Sequence, residues 1–115
     1  MALSEFEIKK VERAASEFLA ARRPPIEVRS KLDLDVRVFG QSVQIMELRP
    51  HFREPSITME LPVAKATYVK KSQRWKIYWM RSDQKWHLYT PQPESASIEE
   101  FFAIVKADAN ACFFG

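Results

Sequence analysis

Apolar and polar side chains alternate residue by residue along Arg74-Trp75-Lys76-Ile77-Tyr78-Trp79-Met80, and the alternation returns in Lys85-Trp86-His87-Leu88-Tyr89. A period of two marks a strand with one buried and one solvated face. A hairpin closed through Arg81-Ser82-Asp83-Gln84 sets Trp79 against Trp86 and Ile77 against Leu88 on the apolar face. The same register sets Tyr78 against His87 and Lys76 against Tyr89 on the polar face. A preceding strand at about residues 64–70, joined through a three-residue loop at Lys71-Ser72-Gln73, adds Thr67 and Val69 to the apolar side and Tyr68 and Lys70 to the polar side. A sheet that is apolar on one face has to be covered on that face.

The cover is written at the two ends of the chain. Ser4 followed by Glu7 reads as a capping box, with Leu3 and Ile8 as its hydrophobic staple. Ile8, Val11, Ala15, Phe18 and Leu19 recur at helical spacing until Pro24-Pro25 forbids continuation, which predicts a helix over about residues 5–22. A second capping box, Ser97 with Glu100, opens a short helix bearing Ile98, Phe101, Phe102, Ile104 and Val105. Between them, Leu32, Leu34, Val36 and Val38 alternate with Lys31, Asp33, Asp35, Arg37 and Phe39. A two-residue turn at Gly40-Gln41 then sets Val38 against Val43, Val36 against Ile45 and Leu34 against Glu47. The stretch from Pro50 to Pro62 has three prolines and no period, so it reads as a long, semi-rigid surface loop, and Pro91 and Pro93 stop the sheet. The expectation is a single α+β domain over residues 1–115. Its antiparallel sheet has about five strands, with an N-terminal and a short C-terminal helix packed on one face.

Charge singles out one segment. From Lys65 to Lys85 seven cationic residues stand against one acid, Asp83, giving +6 in a chain of net +3, so the remainder is about −3. All three tryptophans and all three tyrosines lie between Tyr68 and Tyr89. This points to an anionic partner, with single-stranded nucleic acid first. The residues gathered by the register are Tyr68, Lys70, Arg74, Lys76, Tyr78, Lys85, His87 and Tyr89. Exposed aromatics stack unpaired bases and flanking cations neutralise phosphates. The plain alternative is a solvated cationic face whose tyrosines cover neighbouring stems. A second function class is self-association: Phe101, Phe102, Phe113 and Phe114 crowd the C-terminal end, and a domain unable to cover them would dimerise through them.

Enzymatic readings have thinner support. Glu47 aimed at the core, two positions before Arg49 and beside Asp33 and Asp35, has the elements of a divalent-metal nuclease site. Arg49, however, stands where a lysine is usual, and Asp35 faces away from Glu47 in this register. The alternative is a bulge near Met46 that turns Glu47 outward and gives Met46 and Leu48 the core side. Either way Glu47 is expected to pair with a nearby lysine or arginine. His51, His87 and Cys112 lie in three elements without ligand spacing, so no metal or other cofactor is expected. The only glycines are Gly40 and Gly115, which excludes a glycine-rich phosphate loop. The reading is therefore non-enzymatic. No apolar run approaches the ~20 residues of a membrane span. The N-terminus lacks a secretory leader, and one cysteine excludes an internal disulfide, so a cytoplasmic protein without a membrane partner is expected.

Several longer pieces resemble a known family. They are Ala21-Arg22-Arg23-Pro24-Pro25, Gly40-Gln41-Ser42-Val43 through Glu47-Leu48-Arg49-Pro50, and Pro62-Val63-Ala64-Lys65-Ala66-Thr67-Tyr68-Val69-Lys70. Trp75-Lys76-Ile77-Tyr78-Trp79-Met80-Arg81, Lys85-Trp86-His87 and the terminal Cys112-Phe113-Phe114-Gly115 complete the set. Together they are similar to the bacterial domain-of-unknown-function family numbered 3024, with Phe114 where that family would have tryptophan. The resemblance implies a small, stand-alone bacterial cytoplasmic protein and implies no activity.

Overall fold

A computed structural model describes residues 2–114; Met1 and Gly115 lie outside the described residues. Helix α1 (Glu5–Arg22) begins with the predicted capping box. The Glu7 N–H donates to the Ser4 hydroxyl at 3.2 Å, and the Ser4 N–H donates to the Glu7 carboxylate at 3.3 Å. The helix ends just before Pro24-Pro25, and a 3₁₀ turn (Ile26–Val28) leads into the sheet. Helix α2 (Ile98–Ala107) is capped by Ser97, whose hydroxyl accepts the Glu100 N–H at 3.1 Å. The reciprocal half of that box does not form among the described residues, because the Glu100 carboxylate accepts from the Gln92 amide instead.

Six strands form one antiparallel sheet: β1 (Asp33–Phe39), β2 (Ser42–Pro50), β3 (Thr58–Val69), β4 (Arg74–Met80), β5 (Trp86–Leu88) and β6 (Glu94–Ser95). The first five follow in sequence order, and β6 returns to pair with β4. Helices and sheet enclose one core. Val11 and Phe18 of α1 and Phe101, Phe102 and Val105 of α2 meet Val43, Ile45, Ala66, Trp75 and Ile77. Ala64 and Ala66 have no exposure at all, and side chains this small let the helices lie close on the sheet centre. Phe18 and Phe102 tie the two helices together, with ring centroids 5.2 Å apart.

The β1–β2 register is the expected one, with Leu34 opposite Glu47 and Val38 opposite Val43. By the alternation of an antiparallel pair, the N–H groups of Leu34 and Val36 then face the outer edge of β1. The Asp33 and Asp35 carboxylates accept those two N–H groups, each at 2.8 Å.

Both hairpins around β4 differ from expectation by one residue. Val69 pairs with Arg74, so the first loop has four residues, Lys70 to Gln73. Met80 pairs with Trp86, so the second has five, Arg81 to Lys85. The extra residue in each is a glutamine in the left-handed region: Gln73 at φ 56° and Gln84 at φ 62°. A one-residue change in loop length moves every side chain of the neighbouring strand to the other face. Thr67, Val69, Trp86 and Leu88 therefore lie away from the helices, and Tyr68, His87 and Tyr89 lie towards them.

The proline-rich stretch is mostly strand rather than loop. β2 and β3 pair out to Pro50 and Thr58, leaving only residues 51–57 between them. Pro62 is tolerated because β4 pairs with β3 only from Ala64 onward, so β3 has a vacant side there for a residue without an N–H. Nor do Pro91 and Pro93 end the sheet: the Pro93 carbonyl accepts the Ile77 N–H, and β6 follows directly.

The C-terminal tail docks on the chain's own core. Asp108, left-handed at φ 42°, caps α2, and its two carboxylate oxygens accept the N–H groups of Phe113 and Phe114 at 3.0 Å each. Phe101, Phe102 and Phe113 are buried. Phe114 is half-buried, with the Arg22 guanidinium 4.6 Å from its ring centre.

Candidate functional site

Both helices pack on the same side of the sheet, so the opposite face is bare among the described residues. Its centre is built by β3, β4 and β5. Tyr78 of β4 stands between Lys65 of β3 and Leu88 of β5, and Met80 stands opposite Trp86. The Lys65 ammonium lies 4.8 Å from the Tyr78 ring centre and 4.9 Å from that of Trp86. Such contacts attract the cation electrostatically. Burial among these side chains pushes the Lys65 amine below its ordinary pKa.

The cations around this centre fall into two sets. Arg37 bridges Glu60 at 2.7 Å and Asp35 at 3.2 Å, and hydrogen bonds to these two carboxylates raise its pKa. Arg74 meets Glu94 at 3.0 Å. Among the described residues no carboxylate pairs with Lys65 or Lys76, and Lys76 is exposed.

Of the eight residues singled out from the sequence, the fold places Arg74, Lys76 and Tyr78 on this bare face. Lys70 and Lys85 sit exposed in the two turns. Tyr68 lies on the helix side, tilted against Trp75 at 5.1 Å. His87 also has helix-side parity; its Nε2 is 2.8 Å from Asp83, and that contact lowers the Asp83 pKa. Tyr89 is buried at 3% exposure, its ring 4.8 Å from Phe113 and its hydroxyl accepting from Asn110. The eight therefore do not form one surface. Sequence reasoning missed Lys65 and assigned Trp86 to the core, because both positions depend on turn length. One local signal existed: Asp83 accepts the Lys85 N–H at 2.9 Å, a turn-forming contact that places Lys85 within the loop.

Glu47 keeps its helix-side parity at the sheet margin, with its side chain 14% exposed and 3.4 Å from Arg49. The expected pairing with a basic neighbour is thus present. The irregularity near Met46 falls in β3, where Val63 is the extra residue, so Glu47 is not turned outward. Met46 is buried on the bare face instead. Asp35 points to the face opposite Glu47 and engages Arg37, so these two carboxylates do not converge. Among the described residues no three His, Cys, Asp or Glu side chains gather as a metal site. Nor is any helix long and apolar enough to cross a membrane.

The model of a domain of unknown function (DUF3024) matches residues 3–115. The chain belongs to that family. The match covers both helices and all six strands, so the DUF3024 family spans the whole fold. No curated protein and no solved structure matches the chain.

Proposed function

We propose that this DUF3024 protein is a non-enzymatic binding module that takes single-stranded nucleic acid on its bare sheet face. The observation that carries the reading is the Lys65 ammonium held between the rings of Tyr78 and Trp86, on a face no helix covers. Aromatic faces stack bases of any identity, at about 1–3 kcal/mol per base, and an interleaved cation meets the phosphates. Lys65 and Lys76 are the cations available for this, since Arg37 and Arg74 are already neutralised by carboxylates. The single cysteine, Cys112, suits a reducing compartment, and we place the module in the bacterial cytoplasm.

Two phosphate contacts to a single strand give a salt slope of about −1.4, which is about a sevenfold loss of affinity between about 50 and about 200 mM salt. Fluorescence titration with short oligonucleotides at those two concentrations measures it. Tyr78→Ala and Lys65→Ala are expected to weaken binding. Affinity that ignores salt, or no binding at all, sinks the reading.

A further inference from the structure

Between the starts of the two helices and the β3–β4 turn lies an open cleft of about 510 Å³, within the roughly 300–1,000 Å³ range of small-ligand sites. Its apolar surface comes from Phe6 of α1 on the helix side and from Tyr68 and the largely buried Trp75 on the sheet side. Phe6 is 69% exposed. The Lys10 ammonium lies 5.2 Å from the Phe6 ring centre, and Lys70 reaches the cleft from the turn. Neither lysine meets a carboxylate among the described residues.

Glu7 and Glu99 also line the cleft, so its formal charge is balanced. Glu7 is turned back onto the backbone N–H and hydroxyl of Ser4, Glu99 is exposed on the first turn of α2, and neither meets a lysine among the described residues, which leaves both ammoniums open to a ligand. The Ser4 and Ser97 hydroxyls already accept from the first turns of their helices, so the groups left to meet an anion are the two lysines and not the capping hydroxyls.

We propose that this cleft seats one nucleotide, its base against Phe6 and Tyr68 and its phosphate between Lys10 and Lys70. The choice of a nucleotide rests on the reading of the bare face given above. Lys76 lies on β4 near this same turn, so a strand crossing the bare face arrives at Lys70 and Lys71. The cleft then takes the terminal nucleotide of that strand.

The test is titration of the full chain with AMP, adenosine and inorganic phosphate, read by amide NMR shifts. AMP is expected to shift the Phe6, Tyr68 and Lys70 signals and to bind more tightly than either fragment. Lys70→Ala, in an exposed turn where folding is not at stake, is expected to weaken AMP binding by about fivefold or more, as is Phe6→Ala. Phosphate binding as tightly as AMP overturns the proposal, as does an unchanged affinity in Lys70→Ala or the absence of AMP binding. Oligonucleotide binding without AMP binding removes the cleft and keeps the bare face. AMP binding without oligonucleotide binding supports the cleft and removes the bare-face reading.

Discussion

On the helix side of β4, Trp75 and Ile77 are 5% and 0% exposed and sit among the rings and branched chains of both helices. On the other side of the same strand Arg74 and Tyr78 are half-exposed and Lys76 is exposed. The two faces are held by different forces. Burial of apolar area fixes the first, at roughly 25 cal/mol per Å². The second is organised by Arg37 with Glu60 and Arg74 with Glu94, pairs of a kind that contribute at most about 1 kcal/mol each. A face carried by small, separable contacts tolerates change without loss of the fold.

Adjacent residues of β4 put that contrast to its largest test. Ile77→Ala is expected to cost about 2–5 kcal/mol in urea unfolding, through lost burial and the remaining cavity. Lys76→Ala, one residue away on the other face, should stay within about 0.5 kcal/mol. Losses of similar size at both positions would break the distinction.

A smaller effect is expected at Asp33, where the Arg23 guanidinium, hydrogen-bonded at 2.7 Å, holds the carboxyl down from 3.8 to about 2. The folded-state pKa is lower than the unfolded one, so the stabilisation is present above about pH 4 and lost as pH falls towards 2. Asp33→Asn should cost about 0.5–1 kcal/mol at neutral pH, after allowance for solvent screening, and flatten the dependence of Tm on pH between 4 and 2. An equally steep acid limb in the variant would assign that limb to other carboxylates.

The smallest expected effect is a gain. Gln84 sits at φ 62°, where a Cβ is strained, and Gln84→Gly should stabilise by about 0.5 kcal/mol once the greater freedom of glycine in the unfolded chain is set against relieved strain. Urea midpoints of the two proteins measure it. A loss would mean that the glutamine side chain holds the turn.

The same two glutamines set how much could be read from the residues alone. The β1–β2 register was legible because Gly40, at φ 59°, fixes a two-residue turn that only glycine adopts easily. Both helices were legible from Ser4, Glu7, Ser97 and their apolar spacing. Gln73 and Gln84 carry no such signal, since glutamine is not a residue that announces a left-handed turn. Each adds one residue, and parity does the rest: Tyr68, His87 and Tyr89 leave the bare face, while Lys65 and Trp86 enter it. The alternation along β4 was right, but which neighbouring residues shared its faces depended on turns that the pattern cannot count. Pro62 misled for another reason, because the vacant side of β3 exists only in three dimensions.

The aspartates at the outer margin of β1 also bear on how the molecule behaves in a crowded solution. Val38 and Phe39 are 39% and 52% exposed there, an inviting surface for a strand from another copy. Before that strand could make its first bonds at Leu34 and Val36 it would have to displace two carboxylates already seated on those amides. An incoming backbone carbonyl is a weaker acceptor than the ionised oxygen it would replace. Pairing with a further strand is therefore disfavoured at these two positions of the edge.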